Sequence, residues 1–71
     1  MTWQEVLEFL KSIKEQHTNK YVNGIPQMIF FALAKKDKGW RNTQELSNAL
    51  KVLVKRREIV IGDHFDIRVL D

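Results

Sequence analysis

Polar side chains with the hydrogen-bonding groups of nucleic-acid readers recur at helical spacing in the second half of the chain. They are spaced i, i+4, i+7 and i+11, which places them on one stripe of a helix: Gln44, Asn48, Lys51 and Lys55. Amide side chains pair with both polar groups of an adenine edge, and lysine contacts guanine or phosphate. No glutamate lies between Leu46 and Arg57. The stripe therefore indicates nucleic-acid contact, and the plain alternative is a solvated helix face.

Basic residues are concentrated around the same stretch. Positions 35–57 hold eight basic and two acidic residues, a net charge of +6, whereas the rest of the chain carries −3. Clustered cations neutralise phosphates and fix orientation without reading sequence. A solvated basic surface is the simpler alternative, and Arg56 could instead pair with a nearby carboxylate. The predicted nucleic-acid contacts are Lys35, Lys36, Lys38, Arg41, Gln44, Ser47, Asn48, Lys51, Lys55 and Arg56.

Catalytic chemistry has little basis in the sequence. His17 and His64 lack the spacing of metal ligands, and the chain contains no cysteine. Ser12 and Ser47 have no neighbouring base that would activate a nucleophile. The glycines are isolated and form no phosphate-binding loop. We therefore expect a protein that is not an enzyme and that carries no metal or other cofactor.

The length and composition predict one small domain. A chain of 71 residues accommodates a single core. Without cysteine there is no disulfide, so a packed core must supply the stability. No apolar run reaches the roughly 18 residues of a membrane span, and the N-terminus lacks the pattern of a signal peptide. These features predict a cytoplasmic protein without membrane contact.

Three helices must position the candidate residues. Apolar side chains at helical spacing predict them over residues 2–17, 25–37 and 42–57. Thr2 and Glu5 form a capping box at the start of the first. Pro26 suits the first turn of the second, which is apolar on most sides and is therefore expected to be covered by its neighbours. Asn42 is the predicted N-cap of the third.

Alternating apolar residues predict strands in the rest of the chain. The expected elements are a hairpin and a short strand, over residues 58–62, 65–70 and 20–22. A three-residue loop over 62–64 places Ile61 opposite Phe65 and Ile59 opposite Ile67, so that one face is wholly apolar. Because a lone hairpin is marginally stable, this face must pack on the helices or pair with the short strand.

The order helix, strand, helix, helix, strand, strand resembles the winged helix-turn-helix family over essentially the whole chain. The resemblance implies an α+β fold in which helix 42–57 enters the major groove and the hairpin forms the wing. It also implies a small transcriptional regulator that binds double-stranded DNA, and a homodimer would read half-sites about 34 Å apart. The wing tip departs from the family, because Asp63 and Asp66 lie where basic residues are usual.

A protein-interaction module is the alternative function, as an adaptor or as an inhibitor of a larger complex. The acidic wing tip and a surplus of apolar residues motivate it: Phe30, Phe31, Trp40 and Val52. An exposed contiguous apolar patch would favour this alternative. RNA binding through base stacking on Tyr21 or Trp40 is a further alternative.

Overall fold

Three α-helices and a three-stranded antiparallel sheet form the described part of the chain. The computed structural model describes residues 1–17, 19–21 and 23–70. The elements are α1 (Trp3–Gln16), β1 (Ile25–Pro26), α2 (Gln27–Leu33), a π-helical turn (Ala34–Lys38), α3 (Thr43–Lys55), β2 (Ile59–Ile61) and β3 (Asp66–Val69). The strand order is β1-β3-β2. The prediction of a small α+β fold with three helices and a C-terminal hairpin is confirmed, and none of the described helices is long and apolar enough to cross a bilayer.

Side-chain caps fix the starts of α1 and α3. The Thr2 hydroxyl accepts from the Glu5 N–H at 3.2 Å, and the Glu5 carboxylate accepts from the Thr2 N–H at 2.9 Å. The Asn42 side chain accepts from the Glu45 N–H at 3.1 Å. Each cap satisfies backbone N–H groups that have no partner within the helix. Both starts lie within one residue of the predicted ones.

A left-handed residue ends α3. Arg57 has φ 59, and its N–H donates to the Val54 carbonyl at 3.0 Å. The Glu58 N–H donates to the Leu53 carbonyl at 3.0 Å, which completes a Schellman motif. Because Arg57 closes the helix in this conformation, the following strand begins only after it.

The second helix is shorter and less covered than predicted. Ile25 and Pro26 belong to β1, and α2 widens after Leu33 into the π-helical turn. Gly39, with φ 69, ends that turn by donating its N–H to the Ala34 and Lys35 carbonyls. Phe30 is fully buried, but one side of the helix is solvent-facing through Met28, Ile29 and Ala32. The prediction that neighbours cover this helix on most sides is therefore wrong for the side that carries Met28, Ile29 and Ala32.

The first strand lies later in the chain than predicted. Lys20 and Tyr21 form a turn, with both N–H groups donating to the His17 carbonyl, and Val22 lies outside the described residues. Ile25 instead pairs with Ile67 of β3. Because β1 is an edge strand, the missing N–H of proline is tolerated there.

The hairpin pairs in a register two residues away from the predicted one. Ile61 is opposite Ile67, and Ile59 is opposite Val69. In the predicted register Val69 would lie opposite Arg57, whose left-handed, helix-ending conformation keeps it out of the strand. A shift of two residues keeps the same side chains on the core face. Phe65, however, leaves the sheet and becomes the last residue of a three-residue loop, closed by the Gly62 N–H donating to the Asp66 carbonyl at 2.8 Å.

All three helices and the inner face of the sheet contribute to one core. Its largest fully buried side chains are Phe30, Leu10, Ile25, Leu46, Leu53, Ile59, Ile67 and Val6. Trp40 covers one end from the loop before α3, packing edge-on against Phe9 with 5.6 Å between ring centroids. No buried polar or charged side chain occurs among the described residues. The polar candidate residues therefore all lie outside the core.

Candidate nucleic-acid interface

The outer stripe of α3 carries the four polar residues singled out by their spacing. Leu46, Leu50 and Leu53 anchor the opposite side of the helix in the core. The four outer residues are all exposed: Gln44, Asn48, Lys51 and Lys55. We call this set the α3 stripe. Its side chains come from one rigid helix, so their spacing is fixed by the helix geometry.

Two amides of the α3 stripe are paired with each other. The Gln44 Nε2 donates to the Asn48 Oδ1 at 3.1 Å, one helical turn apart. This bond uses neither the Asn48 amide N–H groups nor the Gln44 side-chain carbonyl, which remain available to a ligand. A donor beside an acceptor matches the N7 and N6 groups that adenine presents in the major groove. The pair therefore has the chemistry for reading an adenine as a unit.

Three cations lie exposed on the segments that precede α3 in the chain. Lys35 and Lys36 are on the π-helical turn, and Arg41 is in the loop that leads into the helix. Ser47 is half-buried on the side of α3 that faces the hairpin. Flexible cations at such positions suit phosphate contacts, which set orientation and carry no sequence information.

Lys38 and Arg56 are directed away from the α3 stripe. The Lys38 ammonium lies 5.6 Å from the ring centroid of Phe9, in a groove to which α3 contributes no residue. The Arg56 guanidinium lies 3.9 Å from the ring centroid of Trp3, at the start of α1. The structure therefore does not bring all ten predicted contacts together, and these two belong to the side of the molecule that faces α1.

The aromatic residues considered for base stacking pack within the protein. Trp40 is half-buried against Phe9, and Tyr21 lies edge-on to His17 with 5.5 Å between ring centroids. Part of the apolar surplus is likewise explained by the core, because Phe30 is fully buried. Val52 is 38% exposed on the flank of α3 that faces α1.

An apolar groove beside the α3 stripe was not predicted from the sequence. Val54 and Ile61 line it together with Phe65, which is 68% exposed. The alternation of apolar residues put Phe65 on the core face of the hairpin, whereas the observed register places it in the loop with φ 62. No local signal in the sequence could have found this groove, because both registers bury Ile59 and Ile67.

Comparison with family models, curated proteins and solved structures gives no significant match. Among the residues described, no cluster of three or more histidine, aspartate or glutamate side chains is arranged to hold a metal ion. The geometry of the chain's own surface is therefore what indicates its function.

Proposed function

We propose that this protein binds double-stranded DNA through the α3 stripe and acts as a small, non-enzymatic transcriptional regulator of the winged-helix type. The observation that carries the proposal is the exposure of Gln44, Asn48, Lys51 and Lys55 on one side of a helix whose other side is buried. The role needs no cofactor. The proposal includes a cytoplasmic location, which fractionation of cells that express the tagged chain would test.

The proposed interface residues fall into two groups: those that contact bases and those that contact phosphates. The Gln44–Asn48 pair is proposed to contact a base edge in the major groove. Lys51 and Lys55 are proposed to contact guanine or phosphate from the same helix. Exposed Lys35, Lys36 and Arg41 would hold the adjacent phosphates.

The wing has a smaller part in this proposal than in the usual winged helix. Asp63 and Asp66 lie in and beside the hairpin loop, where a negative charge is repelled by phosphate. One recognition helix without a basic wing provides few contacts. A homodimer that places two α3 stripes about 34 Å apart would supply the additional contacts.

A charge-reversal pair tests the proposal. Lys51→Glu with Lys55→Glu should abolish binding to a random-sequence duplex, measured by fluorescence anisotropy at low salt. Lys11→Glu with Lys20→Glu is the matched control, because it changes the net charge equally at exposed positions outside α3. An equal loss of affinity in the two variants would show that binding follows net charge and would overturn the assignment to α3.

A further inference from the structure

The groove between α3 and the hairpin combines an apolar floor with a basic rim. Leu50, Val54 and Ile61 form the floor together with Phe65, and the two lysines of the α3 stripe, Lys51 and Lys55, also line it. No acidic residue of the described chain lines this groove. Val54 is 41% exposed, so part of the floor is open to solvent.

Phe65 is held outward in a conformation that a bulky residue rarely adopts. Its φ of 62 is left-handed, and the last position of a three-residue hairpin loop usually takes glycine for that reason. With 68% of its surface exposed, the ring gains little from packing on its own chain. Backbone strain of this kind is typical of residues that serve a contact outside the fold.

We propose that this groove binds an acidic amphipathic helix of a partner protein. The apolar face of that helix would lie on Val54, Ile61 and Phe65, and its carboxylates would pair with Lys51 and Lys55. The α3 wall has no free backbone groups, since they are bonded within the helix. An extended segment would need backbone partners along the groove, and only Ile61 of its lining belongs to an edge strand. A helix satisfies its backbone groups internally and needs none.

A second copy of this chain fits the groove poorly. A two-fold contact would bring Lys51 and Lys55 of one copy against the same residues of the other, and like charges repel. The acidic side of α1, which carries Glu5 and Glu8, lacks the apolar anchors, because no large hydrophobic residue within α1 is among the exposed ones. The occupant therefore has to supply apolar and acidic groups on one segment.

The groove and the α3 stripe share two residues. A helix bound in the groove would cover Lys51 and Lys55 and would exclude a duplex from α3. This inference goes beyond the proposed function, because the groove can bind its partner even if the protein binds no nucleic acid. If the protein binds both ligands, the acidic partner competes with DNA for Lys51 and Lys55.

A designed peptide tests the groove directly. The probe is a synthetic peptide of about 15 residues, roughly four helical turns, with leucines on one face and glutamates on the other. The control peptide keeps the leucines and replaces the glutamates by lysines. Each is titrated into the isotope-labelled full chain and followed by amide NMR shifts. We expect the acidic peptide alone to shift resonances around Val54, Ile61 and Phe65.

Two variant pairs locate the contact. Phe65→Gly, which suits the loop backbone, should weaken the acidic peptide about thirtyfold, as expected for loss of an aromatic anchor. Val54→Gln should weaken it, while Val52→Gln should not, because Val52 is similarly exposed on the other flank of α3 and does not line the groove. Unchanged affinity in Phe65→Gly and Val54→Gln would overturn the inference, as would equal binding of the lysine peptide.

A duplex titration separates this inference from the proposed function. Displacement of the peptide by a random-sequence duplex supports the shared surface. Peptide binding without duplex binding supports the groove and contradicts the proposed function. If the duplex shifts the Phe65 amide resonance and its binding is lost in Phe65→Gly, the groove binds nucleic acid and the inference is overturned. Duplex binding with no peptide shifts in the groove also overturns it and leaves the proposed function standing.

Discussion

Arg56 stacks on Trp3, with 3.9 Å between the guanidinium carbon and the ring centroid. The contact joins the end of α3 to the beginning of α1, two elements that are far apart in sequence. It also removes Arg56 from the cations that flank the α3 stripe. Arg56 therefore has a structural role, and its partner Trp3 lies far from it in the sequence.

The role of Arg56 can be separated from that of Lys55, its neighbour in sequence. Arg56→Ala should lower the free energy of unfolding by about 0.5–1 kcal/mol, the range for an exposed cation–π contact, and should change duplex affinity little. Lys55→Ala should instead lower the duplex affinity and change the free energy of unfolding little. Urea denaturation and fluorescence anisotropy measure the two quantities. An equal loss of affinity in both variants would return Arg56 to the interface.

Salt dependence counts the phosphate contacts of the proposed complex. Contacts from Lys35, Lys36, Arg41, Lys51 and Lys55 would give a log–log slope of about −4.5, at about −0.9 for each phosphate. Lys51→Ala should reduce the magnitude of the slope by about 0.9. The matched control is Lys38→Ala, because Lys38 lies over Phe9 and not beside α3. Titrations between about 50 and 200 mM salt give the slope, and a reduction in the Lys38 variant would contradict this assignment.

The amide pair should affect base preference and not salt dependence. Asn48→Ala removes the partner that holds Gln44 at 3.1 Å. On duplexes selected from a random pool, we expect discrimination of about 1–3 kcal/mol to be lost at one position, with an unchanged salt slope. Selection followed by sequencing of the bound pool measures the preference. The same preferred sequences with Asn48→Ala as with the native chain would exclude the pair from base reading.

Local signals in the sequence were sufficient to locate the starts and the buried faces of α1 and α3. The caps at Thr2 and Asn42 depend on residues three positions apart, so a short window contains all of the information. The same holds for the α3 stripe, since helical periodicity alone places Gln44 and Lys55 opposite the buried leucines.

The hairpin register and the direction of the cations depend on contacts that a short window does not contain. Two registers bury the same isoleucines, and in the observed one the partner of Val69 is Ile59 and not the left-handed Arg57. The apolar groove follows from that choice, because it moves Phe65 into the loop. Lys38 likewise turns toward Phe9, which is on another helix. These parts of the surface required the tertiary structure.

Gly24 is a position where an added methyl group should be poorly tolerated. Its φ is 116, and a Cβ there would lie 2.9 Å from the Asp66 Cβ and 3.2 Å from the Ile67 carbonyl oxygen. Gly39 is the matched control, because its φ is 69 and a Cβ there would meet nothing within 4 Å. Gly39→Ala should cost about 1–2 kcal/mol from the left-handed backbone alone. Gly24→Ala should cost clearly more by thermal denaturation, and equal costs would show that the strand contact relaxes freely.

Replacing the two left-handed residues by glycine should stabilise the protein while separating their roles. Arg57→Gly and Phe65→Gly both relieve a positive φ. Each should add about 1 kcal/mol to the free energy of unfolding, because the left-handed penalty that is removed exceeds the entropy that glycine adds to the unfolded state. For a chain of this size that raises the melting temperature by about 4–8 °C, which calorimetry detects.

The stabilised variants should then differ in binding. Phe65→Gly should bind the acidic peptide more weakly. Arg57→Gly should bind it with unchanged affinity, because Arg57 does not line the groove. Strained residues cluster at ligand-binding sites, and of these two only Phe65 lines the groove. A lower melting temperature in Phe65→Gly would mean that the ring stabilises its own hairpin, and would contradict the interpretation of Phe65 as a strained residue held for a partner.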